Sequence, residues 1–125
     1  MPTLYAPPGR KKALVPPYHT VCHVFVGPGT PFEEGARITL AGGFPDGPSN
    51  TLLFVEAGDP VAWTKPEEIA FDPAGPVPRL RGFFNHGIRA CWADGHRRDI
   101  PYDLDPAALR AAITRNGGEP RGRDW

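Results

Sequence analysis

Phe83-Phe84-Asn85-His86-Gly87-Ile88-Arg89-Ala90-Cys91-Trp92-Ala93-Asp94-Gly95-His96-Arg97-Arg98-Asp99-Ile100 carries a strand, a tight turn and a returning strand in one run. Ile88, Ala90 and Trp92 alternate with Arg89, Cys91 and Ala93, the period of two expected of a half-buried strand. Asp94-Gly95 follows as the strongest short hairpin signal. A two-residue type I′ turn is expected there, because Gly tolerates φ > 0 freely and Asp better than most residues. Residues 96–100 should return as a second strand, charged along much of its length and so placed near an edge.

Size and composition bound what surrounds this hairpin. A chain of 125 residues makes one domain with a modest core. Fourteen acidic and fourteen basic side chains cancel, so no net field draws the chain to nucleic acid or to an anionic membrane. Fifteen Gly and seventeen Pro would suit a disordered chain, but the hydrophobic share is 40% and the prolines separate short apolar runs. An ordered, loop-rich domain with short strands fits better. No apolar run approaches the ~20 residues of a membrane helix and the N-terminus lacks a signal-peptide pattern, so the chain is read as soluble as written.

Residues 1–17 form a proline-rich arm, in which Pro2, Pro7, Pro8, Pro16 and Pro17 deny regular hydrogen bonding. Its Arg10-Lys11-Lys12 cluster reads as a solvated segment before it reads as a contact for acidic partners. Tyr18-His19-Thr20-Val21-Cys22-His23-Val24-Phe25-Val26 is the best strand of the chain. Cys22, Val24 and Val26 share one face and Val21, His23 and Phe25 the other; both are mostly apolar, which predicts a central strand. Residues 36–40 suit either a short strand or a helical turn. The turn formers Gly42 to Asn50 then lead into a second strong strand over 51–57, which Gly58-Asp59-Pro60 should end. Residues 61–80 should wrap irregularly over the sheet, with Trp63 and Phe71 as core anchors worth roughly 2–3 kcal/mol each. Residues 66–69 suit one helical turn.

The clearest helix spans 105–115. Asp105 is its expected N-cap, Pro106 its first residue, and Asn116-Gly117 its left-handed C-cap. Ala107, Ala108, Ala111 and Ala112 favour helix. Leu109 and Ile113, four apart, should pack on the sheet. Residues 120–125 read as a tail.

Several separated motifs, taken in order, resemble one family. Asp46-Gly47-Pro48-Ser49-Asn50-Thr51-Leu52-Leu53-Phe54-Val55-Glu56-Ala57 is similar to the Asp-Gly-Thr-Ser-Asn-Thr, apolar strand, Glu-Ala motif of bacterial type II secretion pseudopilin-like proteins, a family of unknown function. That family also bears a C-terminal mark of His, about nine residues, then Asp-Gly. Trp63-Thr64-Lys65-Pro66-Glu67, Cys91-Trp92-Ala93-Asp94-Gly95 and Ala112-Ile113-Thr114-Arg115-Asn116-Gly117-Gly118-Glu119 resemble it as well. The likeness covers roughly residues 36–119, with a weaker echo over 18–29. Here His86 precedes Asp94 with seven residues between, and Pro48 and His96 stand where the family usually has Thr and Ser. The family begins with a cleavable leader and a long apolar helix, neither of which this sequence shows. The resemblance implies a pilin-like antiparallel head without its N-terminal helix, in the cell envelope, serving architecture or protein contact. It also implies structural roles for Asp46, Gly47, Ser49, Asn50, Thr51, Glu56, Trp63, His86, Asp94 and Gly95.

Zinc needs three or four converging ligands. Cys22 and His23 point to opposite faces of one strand, whereas Cys91 and His96 flank the hairpin turn and make the better weak pair. Asp46, Asn50 and Glu56 are weak calcium candidates, since hard oxygens suit that ion. Asp and Asn in such a loop more commonly cap its turn N–H groups, and Asp46 and Asn50 are expected to accept or donate hydrogen bonds to the backbone of their own loop. Cys22 and Cys91 could form a disulfide if their strands pair; equally, they read as small buried hydrophobes. A cysteine nucleophile needs a histidine base and an orienting group, which spacing alone does not supply.

The sequence is thus read as an α+β domain over 18–119: a small antiparallel sheet from 18–26, 51–57, 88–93 and 96–100 with one C-terminal helix. Its function is read as non-enzymatic, a pseudopilin-like structural or protein-interaction module without a cofactor. The alternative is a small ligand- or metal-binding module. With strands apolar on both faces and one modest helix, one sheet face should lack a cover and serve self-association or a protein partner.

Overall fold

The computed structural model describes residues 14–65, 67–82 and 85–118. Most of the expected arm, the tail after 118, and Pro66, Phe83 and Phe84 lie outside the described residues. The elements in chain order are β1 (His19–His23), β2 (Phe25–Val26), a 3₁₀ turn (Pro48–Asn50), β3 (Leu52–Ala62), β4 (Ile69–Ala70), β5 (Ile88–Trp92), β6 (Arg97–Ile100) and α1 (Pro106–Ile113). Strands β1-β3-β5-β6 make a four-stranded sheet with antiparallel neighbours, and β2 pairs with β4 in a two-stranded parallel sheet. The result is a small, mostly antiparallel sheet with one short C-terminal helix, compatible with the α+β class.

The hairpin at 88–100 is present, but its turn differs from the expected type I′. Gly95 N–H donates to Trp92 O (2.9 Å) and Trp92 N–H to His96 O (3.0 Å). Gly95 has φ +90, while Asp94 is not among the residues with positive φ. That is a three-residue loop, a type I turn followed by a left-handed Gly, rather than a two-residue loop with both centres left-handed. The extra residue is accommodated because Gly95 supplies the bulge position at no steric cost.

The run 18–26 is not one central strand. Residues 19–23 form an edge strand, and at Val24 the chain leaves β3 for a new partner: Ile69 N–H donates to Val24 O and Phe71 N–H to Val26 O, both at 2.8 Å. The face assignment holds, since Val21, His23 and Phe25 are buried. The Cys22, Val24, Val26 face is only exposed or half-buried, so apolar composition there did not mean burial. At Gly27 a side chain has no room, because a Cβ would sit 1.9 Å from Phe71 O.

Residues 51–57 were expected to stop at Gly58-Asp59-Pro60, yet β3 runs on to Ala62. The ladder with β1 pairs Cys22 with Glu56 and then Thr20 with Val61, so 57–60 form a bulge. Pro60 is tolerated there because a bulged residue owes no ladder hydrogen bond. Gly58 N–H instead donates to Arg81 O (3.0 Å). Residues 36–40 adopt neither a strand nor a helical turn, and 67–69 no helix; Ile69 belongs to β4.

Helix α1 is capped as expected at its start, where Asp105 accepts from Ala107 N–H. It ends two residues early. Thr114, extended, is the C-cap, and its N–H and hydroxyl both donate to Arg110 O (3.2 and 3.3 Å). The expected Asn116-Gly117 cap is therefore not used. Ala112 and Ile113 join Phe25, Leu52, Val55, Ala57, Phe71, Ile88, Ala90, Trp92 and Ile100 in one core, so one sheet face is closed by α1, β2 and the residue after β4. Phe71 anchors as expected, whereas Trp63 remains 42% exposed just past the end of β3.

Candidate functional site

Two of the motif segments meet. Thr51, fully buried, donates its hydroxyl to Gly47 O (3.1 Å), and its carbonyl accepts from Ala93 N–H (2.8 Å) beside the hairpin turn. Asn50 Nδ2–H donates to Asp46 O (2.7 Å), as expected of a loop residue. The Asp46 carboxylate departs from the expectation: it accepts from Gly118 N–H (3.2 and 3.3 Å), and Asp46 N–H donates to Arg115 O (3.1 Å). The loop is thus tied to the C-terminal segment as well as to itself. Gly47, at φ +95, allows the reversal before Pro48. Ser49 and His86 are exposed.

The calcium candidates do not gather. Asp46 faces Gly118, while Glu56 lies on the sheet beside Arg89. Nor do Cys91 and His96 join. The Cys91 thiol donates to Trp92 O (3.6 Å), while the His96 ring stacks on Trp92 and contacts Asp94 through Nδ1. Among the described residues, no group of three or more His, Cys, Asp or Glu is placed to hold a metal ion. Buried His23 bonds through Nδ1 with Glu67 O (3.0 Å). Cys22 and Cys91 are free, on strands that flank β3 on opposite sides and do not pair. Burial raises both thiols above their ordinary range; a hydrogen bond with Thr20 opposes this at Cys22, and the Glu56 charge adds to it there, as Asp94 does at Cys91. A thiol held protonated is a poor nucleophile.

The arrangement with the most consequence is the sheet face turned away from α1. Residues opposite one another in register share a face, as do residues two apart. Cys22↔Glu56, Phe54↔Cys91, Arg89↔Asp99 and Cys91↔Arg97 therefore place Cys22, Phe54, Glu56, Arg89, Cys91, Arg97 and Asp99 together. A charged row crosses this face. Arg89 Nη1 is 3.8 Å from Glu56 Oε2 and Arg89 Nε is 3.9 Å from Asp99 Oδ1. Phe54 stands beside the row, 38% exposed. Sequence reasoning missed this group. The outward phase of Arg89 and Cys91 was legible from alternation, but the bulge at Leu52/Phe54 decides which outward residues of β3 they meet.

Among the described residues no helix is long and apolar enough to cross a membrane. No protein-family model, no curated protein and no solved structure matches the chain.

Proposed function

We propose that this domain is a non-enzymatic structural module of the pseudopilin-like kind, which assembles with a second copy of itself through the outer sheet face. The observation that carries the reading is the make-up of that face. Phe54 offers an apolar contact, and the charges around it balance: Glu56 and Asp99 against Arg89 and Arg97. In a two-fold interface the same patch meets itself, so a patch with both signs around an apolar centre is self-complementary. A patch of one sign would repel its copy. The linked loops at 46–51 and 91–95, whose sequences resemble motifs of that family, brace the end of the same sheet.

Sedimentation velocity over a range of concentrations tests the proposal. The wild-type domain should show a concentration-dependent dimer that Phe54→Lys abolishes and Arg97→Glu weakens, with folding unchanged by circular dichroism. A wild-type domain that stays monomeric at every concentration, or a dimer indifferent to both substitutions, overturns it.

A further inference from the structure

A second feature lies at the C-terminal end of α1. A cleft of ≈ 350 Å³ opens there, lined by residues that include Gly29, Glu33, Arg110, Arg115, Asn116 and Gly117. Arg115 and Glu33 cancel one another: Arg115 Nη2–H donates to Glu33 Oε2 (2.7 Å), with its other donors on Thr30 O and Gly43 O (both 3.3 Å). Among the described residues Arg110 has no such partner. Its guanidinium donates to Pro73 O and, at 2.8 Å, to Gly75 O, both neutral carbonyls. The Asp72 carboxylate accepts from Ala74 N–H (2.9 Å) and makes no ion pair with Arg110. A guanidinium carries five N–H donors in a planar fork, so two carbonyls leave it both underused and uncompensated.

We propose that this cleft binds a small molecule through an oxyanion, a carboxylate or phosphate group, seated on Arg110. Charge-assisted bonds from a fixed guanidinium to such a group are about twice as strong as neutral ones. Pro73 and Gly75 hold the fork in place before any ligand arrives, which lowers the ordering cost of binding. Asn116, exposed, and Gly117 complete the same lining. The helix end itself disfavours an anion through its free carbonyls. Here that penalty is small, because α1 has eight residues and Thr114 occupies Arg110 O twice. The volume exceeds that of a bare inorganic ion and falls at the low end of small-molecule pockets, about 300–1,000 Å³. This is the ligand-binding alternative of the sequence reading, with an anion in place of a metal ion. It is independent of the self-association reading, which concerns the opposite face of the sheet.

The test is titration of the ¹⁵N-labelled domain with inorganic phosphate, glycerol 3-phosphate and acetate, each against chloride at matched ionic strength. Saturable shifts are expected at the amides of Gly29, Asn116 and Gly117. Saturation by acetate assigns a carboxylate ligand, and saturation by the phosphates alone assigns a phosphorylated one. Arg110→Gln should weaken binding by about tenfold or more, the loss of a charge-assisted contact. Because Arg110 also tethers residues 73–75, Asn116→Asp is the second variant. It places a carboxylate in the cleft without removing a structural bond and should weaken binding to a similar degree. Shifts no larger than those from chloride, or affinities unchanged in both variants, overturn the proposal. Sedimentation of the same samples reads self-association separately.

Discussion

The imidazole of His96 lies parallel to the indole of Trp92, ring centroids 5.6 Å apart and planes within 4°. The two residues bracket the hairpin loop, and the stack joins its two ends while Asp94, within the loop, binds His96. Asp94 Oδ1 accepts from His96 N–H (3.1 Å) and contacts His96 Nδ1 as well. The loop is therefore fixed by one backbone requirement, one ring contact and one carboxylate, and each can be tested alone.

Gly95→Val should destabilise the domain by more than about 1 kcal/mol, since a β-branched residue is strained at positive φ. Nothing lies within 4 Å of the position where a Cβ would stand, so the loss is one of backbone conformation and not of crowding. Gly95→Asn, which tolerates the left-handed region, should recover much of it. Urea melts of the three proteins decide the matter; equal midpoints for Gly95→Val and wild type would place the left-handed residue elsewhere.

Asp94 should titrate below the ordinary carboxylate range. The His96 backbone N–H is the main cause, with the His96 side chain adding to it and desolvation opposing it. A folded pKa below the unfolded one contributes stability that is complete above the ordinary Asp value of about 3.9. That stability is lost as pH falls through the lower folded value. Carbon-detected titration of the Asp94 carboxyl checks the direction, and Asp94→Asn should flatten this part of the stability profile. An Asp94 midpoint at or above the ordinary value refutes it.

Arg115→Ala should cost more than about 1.5 kcal/mol, because its side chain, 15% exposed, donates to two loop carbonyls as well as to Glu33. Arg115→Lys should rescue little, as one ammonium does not span three acceptors. Glu33, whose carboxyl the Arg115 hydrogen bond and Gly29 N–H hold below its usual range, should in turn rise towards that range in Arg115→Ala. Thermal melts and a Glu33 titration read the two effects independently. A melt of Arg115→Ala superposable on wild type would show the contact to be ornamental.

Local patterns announced the hairpin, the strand after Asn50 and the start of α1, because alternation, turn chemistry and an Asp-Pro helix start are properties of a few adjacent residues. What they did not announce was set by distant partners. Val24 is an apolar residue in an apolar run, and the carbonyls that it and Val26 offer to Ile69 and Phe71 carry the chain out of the sheet. Gly58-Asp59-Pro60 read as a stop, yet β1 resumes pairing beyond it and makes it a bulge. The same holds for the outer face. Phe54, Glu56 and Arg89 each looked ordinary, and their proximity rests on a register that a single extra residue, Leu53, resets. Arg110 and Arg115 escaped notice because a helical arginine reads as solvated until the carbonyls it reaches are known.

The contacts of Arg115 also constrain the order in which the domain can be completed. Its partners Thr30, Glu33 and Gly43 stand 85, 82 and 72 residues earlier in the chain. Asp46 waits equally long for Gly118, 72 residues on. Loops closed over such separations carry a large entropic cost that is recovered only when both ends are present. On a ribosome the segment from Thr30 to Asp46 would therefore emerge well before its C-terminal partners, Arg115 and Gly118, have cleared the exit tunnel. Vectorial folding can begin with the strands, but the final state is reached only after nearly the whole described chain has been released.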